Sequence, residues 1–129
     1  LMGSLVETVR NRIRIVGEVS TPQLAALYTE ASAFCYPSLL EGFGLPVLEA
    51  MSYSTPVVTS KGTATEEVAG DAALMVDPAS VHEVSEALDF LLTSESEADE
   101  LATRGYQRSK TFSWDATAAA TVDVYRKLM

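Results

Sequence analysis

Two carboxylates, Glu41 and Glu49, stand eight positions apart on either side of the run Gly42-Phe43-Gly44-Leu45-Pro46. Pro46 suits the first position of a helix, where its missing amide hydrogen costs nothing. Gly42 and Gly44 let a ligand approach the backbone with no Cβ in the way. A helix beginning there presents amide donors and partial positive charge, a seat for a phosphate or diphosphate. Acids beside an anion repel it unless each has another task. Three residues after Pro46, Glu49 falls in the first helical turn, where an acceptor-only carboxylate can hold the neighbouring hydroxyls of a ribose. Glu41 precedes the turn and can face the group beyond the phosphates, accepting from a sugar hydroxyl or stabilising positive charge at a breaking glycosidic bond. Together these residues point to a nucleotide-sugar. Taken alone, the same two acids also fit ordinary helix-start carboxylates held by the macrodipole.

Positioning such a loop requires strands that end at it and helices that leave it. Arg12 to Val16 alternates and meets Gly17, the pattern of a strand closed by a turn. Ser20 or Thr21 caps a helix with Pro22 in its first turn and Leu24, Leu27, Tyr28 and Ala31 as its apolar face. Ala33 to Tyr36 reads as a buried strand ending at Pro37-Ser38, Thr55 to Thr59 as another, and Ala73 to Val76 as a fourth, with one helical turn over Glu66 to Ala69. From Ser80 onward the pattern is helix only. Val81, Val84, Ala87, Leu88, Leu91 and Leu92 recur at helical spacing, as do Trp114, Ala118, Val122, Tyr125 and Leu128, and both stripes read as core. Glu97 to Lys110 is a more polar helix anchored by Leu101 and Tyr106. Alternating strands and helices imply an α/β fold: a Rossmann-like parallel sheet covered on both faces, followed by C-terminal helices, with the ligand beyond the carboxyl ends of the strands.

With 129 residues, 47% of them hydrophobic, the chain is long enough for one core. A net charge of −9 argues against nucleic acid or an anionic membrane surface as partner. No run of apolar residues is long enough to span a bilayer, and Leu1-Met2-Gly3-Ser4-Leu5 lacks the features of a signal peptide, so a cytoplasmic protein is expected. Cys35, the single cysteine, reads as a small core residue. His82, the single histidine, has no histidine or cysteine partner for a metal set and reads as a solvated helix residue.

Glu41-Gly-Phe-Gly-Leu-Pro-Val-Leu-Glu49 resembles the Glu-x7-Glu motif of the retaining glycosyltransferases of the GT-B type (group 1, family 4). Around it Arg14-Ile-Val-Gly17, Leu24-Ala-Ala-Leu-Tyr28, Ala33-Phe-Cys-Tyr-Pro37-Ser38, Thr55-Pro56-Val-Val-Thr59, Glu67-Val-Ala-Gly70, Val76-Asp77-Pro78 and Phe112-Ser-Trp114 follow the order usual in that family. The resemblance implies that residues 1–129 are one truncated domain, the C-terminal part of a nucleotide-sugar donor domain. The first two strand-helix units and the N-terminal acceptor domain would be absent. It implies transfer of a hexose from a nucleoside-diphosphate sugar to an acceptor hydroxyl with retention. In this scheme Glu41 is the catalytic contact to the donor sugar, Gly42, Phe43, Gly44 and Leu45 offer amides to the diphosphate or sugar, and Glu49 holds the ribose. No metal or cofactor is implied.

The family's arginine and lysine for the leaving diphosphate would lie upstream, and Lys61 is not assigned that role. With only a helix dipole of about half a charge to hold it, a nucleotide should bind more weakly than roughly millimolar. The isolated chain is then expected to be inactive. Absent central strands would leave sheet edges open to self-association or strand exchange, which keeps a second reading alive: a non-catalytic, self-associating α/β fragment. A nucleotide-sugar epimerase on the same scaffold has a different acidic glycine motif. One local departure stands out: Ser54 occupies the helix end where the family usually has glycine, at a cost of roughly 1 kcal/mol if that position is left-handed.

Overall fold

The structure, a computed structural model, describes residues 7–129. After a short helix α1 (Glu7–Arg10) the elements run α2 (Thr21–Glu30), β1 (Phe34–Tyr36), α3 (Leu45–Ser52), β2 (Val57–Ser60), α4 (Ala64–Ala69), β3 (Leu74–Val76), α5 (Val81–Thr93), α6 (Glu95–Ser109) and α7 (Trp114–Leu128). The three strands form one parallel sheet in the order β1-β2-β3. All three carboxyl ends therefore lie on one side, and the loops after them lead into the N-termini of α3, α4 and α5.

Register sorts the strand residues onto two faces. Phe34, Tyr36, Val57 and Met75 join Tyr28, Val47, Ala50, Met51, Val68 and Ala69 of α2, α3 and α4. Cys35, Val58, Leu74 and Val76 join Leu91 of α5 and Ala98 and Leu101 of α6 on the other. β2 is central and wholly buried although half of it is polar: Val57 and Val58 enter the two apolar clusters, and Thr59 Oγ1 donates to the Tyr36 carbonyl at 3.0 Å. Gly105 of α6 lies against Met51 of α3, where a Cβ would come within 3.1 Å of Met51 Cγ.

Local signals explain the helix ends. The backbone N–H of Ser20 donates to Gln23 Oε1 at 2.9 Å in front of α2, and Ser80 Oγ and Ser113 Oγ accept from Glu83 N and Ala116 N to start α5 and α7. Arg108, carried on α6, donates to the carbonyls of Val68 and Glu67 and so closes the end of α4. His82 is exposed and pairs with Glu86 one turn on. Burial pushes the Cys35 thiol up from its ordinary value. No helix among the described residues is long and apolar enough to cross a membrane.

Three sequence expectations need correction. Arg12 to Val16 is not a strand: the segment follows a turn without regular structure and Ile15 is 79% exposed, because alternation makes a strand only where a neighbour supplies the ladder, and none does among the described residues. Among the described residues the two edges of the sheet are therefore β1 and β3. The Trp114 stripe is not core either, since no residue of α7 is buried and Trp114 is itself 79% exposed. Periodicity reported the helix and its apolar side but not what covers that side. In α5 the stripe is core only in its middle, with Val81 and Leu92 exposed at its ends. The segment 1–6 lies outside the described residues.

Candidate functional site

The acidic loop leaves the carboxyl end of β1 and enters α3 through Gly44, which sits at φ 100°, ψ 41°. Only glycine takes that conformation without strain, and the space demands it too: a Cβ on Gly44 would fall 2.8 Å from Cγ2 of buried Thr65. The helix begins at Leu45, so Pro46 occupies its second position rather than the first, still within the turn whose amides have no helical acceptor. Glu49 is consequently the fifth helical residue, in the second turn and not the first. Val47 N–H returns to the Gly44 carbonyl at 3.0 Å. The amides of Phe43, Gly44 and Leu45 meet no acceptor among the described residues. Gly42 differs from the expected donor set, because its N–H turns back to Glu41 Oε1 at 3.3 Å.

Each glutamate is held by a tyrosine. Tyr36, the last residue of β1, donates its hydroxyl to Glu41 Oε2 at 2.7 Å, the short distance of a bond to an ionised acceptor. That bond keeps the Tyr36 phenol above its ordinary pKa. Tyr28 of α2 donates to Glu49 Oε2 at 3.2 Å. Its ring is buried between Phe34, edge-on at 5.3 Å, and Tyr53, stacked at 5.8 Å. Burial first, then the Glu49 carboxylate, pushes the Tyr28 phenol up to about 12, so it remains a proton donor at neutral pH. Glu41 is half-buried and Glu49 exposed. No lysine or arginine pairs with either among the described residues.

Neither tyrosine belonged to the expected site, although a signal existed. Tyr28 sits on an apolar helical stripe and Tyr36 ends an apolar strand, and a tyrosine in such a place needs a partner for its hydroxyl. Lys61, at the carboxyl end of β2, is engaged elsewhere: its Nζ lies 3.0 Å from Glu83 Oε2, which also accepts the Asp77 N–H at 2.9 Å. Phe43 packs edge-on to Phe112 at 6.1 Å. Beside it a cleft of about 330 Å³ is lined by Phe43, Leu45, Leu48, Phe112, Trp114 and Thr117. This cleft is apolar and contains neither glutamate. Among the described residues no three His, Cys, Asp or Glu side chains converge.

The loop thus presents three unoccupied amides between two carboxylates, each hydrogen-bonded to a tyrosine. The description glycosyl transferases group 1 matches residues 5–108. The chain belongs to that family. Among this family's members, O-antigen chain mannosyltransferase B of Escherichia coli is 42% identical over 116 residues, which are 90% of this chain and 30% of that protein. MMP alpha-(1->4)-mannosyltransferase of Mycolicibacterium hassiacum is 44% identical over 113 residues, 84% of this chain and 28% of that protein. Sucrose-phosphate synthase from Thermosynechococcus elongatus superposes with a TM-score of 0.81 at 30% identity, over 92% of this chain and 30% of that one. The present group 1 chain thus spans somewhat under a third of the length of these proteins, and its partial Rossmann-like sheet is the fold it shares with the sucrose-phosphate synthase.

Proposed function

We propose that this chain is the C-terminal part of the donor-binding domain of a retaining glycosyltransferase, which moves a hexose from a nucleoside-diphosphate sugar to an acceptor hydroxyl. The observation that carries this reading is the run of free amides at Phe43, Gly44 and Leu45, set between two carboxylates that the fold holds in place. The diphosphate would sit at those amides, Glu49 would accept from the ribose hydroxyls, and Glu41 would face the sugar. In the reaction the bond from the anomeric carbon to the phosphate oxygen breaks and the nucleoside diphosphate leaves with the electron pair. The acceptor oxygen bonds to that carbon on the same face, and its proton passes to the departing phosphate oxygen. Glu41, half-buried at the start of the turn, would stabilise the positive charge that builds there.

The acceptor site and the basic residues for the leaving group would come from sequence outside these 129 residues, and the reaction is metal-independent as the resemblance implies. Two relatives bear mannosyltransferase names, which makes a mannose donor the first to try. In a polypeptide joining this segment to an acceptor-binding domain, donor turnover is screened with UDP-, GDP- and ADP-hexoses. Glu41→Gln is expected to lower kcat by at least a hundredfold, and Glu49→Gln to raise the donor KM. Wild-type kinetics in both variants would remove the assignment. The 129-residue chain alone is expected to bind UDP, GDP or ADP more weakly than roughly millimolar, and micromolar binding by calorimetry contradicts that.

A further inference from the structure

We propose that Tyr28 is a positioning residue for donor binding: its hydroxyl fixes the Glu49 carboxylate in the orientation that receives a ribose diol. The inference rests on the reading that Glu49 holds the ribose, and it assigns the selectivity for that diol to a residue on a different helix. Glu49 projects from α3 into solvent, and Tyr28 Oη is the one group among the described residues that bonds its side chain. Without that bond a glutamate has three free torsions, and ordering them on ligand binding weakens affinity. With it, one lone pair of Oε2 is committed. The other lone pair of Oε2 and both of Oε1 stay open, enough to accept from two adjacent hydroxyls.

Tyr28 is itself buried. Phe34 and Tyr53 hold its ring, and its carbonyl accepts from Thr55 Oγ1 at 2.7 Å, tying α2 to the start of β2. The donor hydroxyl is thus referenced to the sheet, while the carboxylate it orients rides on the helix that begins at the glycine turn. A phenylalanine would keep the packing and lose only the hydroxyl.

The test compares wild type and Tyr28→Phe in binding a nucleoside diphosphate and its 2′,3′-dideoxy counterpart, followed by ligand-observed NMR, which reads millimolar affinities. Wild type is expected to prefer the ribonucleotide, and Tyr28→Phe to shrink that preference at least threefold while leaving the dideoxy affinity unchanged. Equal losses for both ligands, or an undiminished preference, would overturn the proposal and leave the Glu49 assignment standing. A wild type blind to the ribose hydroxyls sinks the Glu49 assignment and the proposal with it. Should Tyr28→Phe not fold, the Tyr28 ¹³Cζ shift in wild type against Glu49→Gln decides: it moves if the bond exists in solution, and an unmoved shift overturns the proposal.

Discussion

Gly44→Ala tests the turn on which the site is built, and its cost divides into two parts that a second substitution can separate. At φ 100° an alanine pays about 1–2 kcal/mol for a left-handed backbone. Its Cβ would also stand 2.8 Å from Thr65 Cγ2, well inside normal contact, and relief of such overpacking in a core costs about 1–3 kcal/mol. Alanine recovers about 0.4–1 kcal/mol by restricting the unfolded chain. The expected loss is therefore about 3 kcal/mol.

Thr65→Ser keeps the hydroxyl that meets Thr63 Oγ1 at 2.8 Å and deletes only the methyl, at about 1 kcal/mol for a buried group. In the double variant the clash is gone and the backbone term remains. Its loss should be about 2 kcal/mol rather than the additive value of about 4, a coupling well beyond the roughly 0.5 kcal/mol scatter of independent sites. Urea unfolding followed by far-UV circular dichroism measures all four proteins. Trp114 fluorescence would not serve, because that residue lies exposed on α7. Additive losses would refute the contact, and a harmless Gly44→Ala would refute the backbone argument too.

Ser54 is the one non-glycine residue with positive φ among those described, at 58°. Ser54→Gly should stabilise the chain by about 0.5–1 kcal/mol and raise Tm by about 2–4 °C in calorimetry. Ser54→Ala should not, and an equal gain there would mean that the hydroxyl and not the backbone is at fault. Glu83 accepts from Asp77 N–H and Lys61, and these bonds hold its carboxyl below the ordinary value of 4.5. A depressed folded pKa contributes stability that is complete above the unfolded value and disappears as pH falls through the folded one. The difference in urea midpoint between wild type and Glu83→Gln should be constant at neutral pH and close below about pH 4.5; a gap that persists in acid refutes the linkage.

What the sequence made legible was whatever depends on near neighbours. The Ser20 start of α2, the α6 helix anchored by Leu101 and the Gly-Phe-Gly turn are encoded within a few residues, and each lies close to where local rules placed it. The left-handed Ser54 was readable from the resemblance, because the family usually has glycine at that helix end. Arg12 to Val16 failed since a ladder is a property of two segments. The tyrosine partner of Glu49 escaped for a related reason: Tyr28 meets its glutamate across 21 residues of chain, a separation that no periodicity spans, whereas Tyr36 is only five residues from Glu41 and reaches it through the turn after β1. Pro46 and Glu49 were each displaced by one step relative to the helix start, because Gly44 rather than Leu45 is the cap.

α7 is written differently from the rest of the molecule. Its fifteen residues bury nothing, so hydrophobic packing does little to keep it helical; the Ala118-Ala119-Ala120 run, the Ser113 cap, Asp115 near the positive end and Arg126 and Lys127 near the negative end must do that work. A helix of this length supported by its own sequence is only marginally formed in water. Two cooperative units of unequal strength are therefore expected: a tertiary body through α6 and a terminal rod that frays ahead of it. Amide exchange would register the boundary as a step in protection near Phe112.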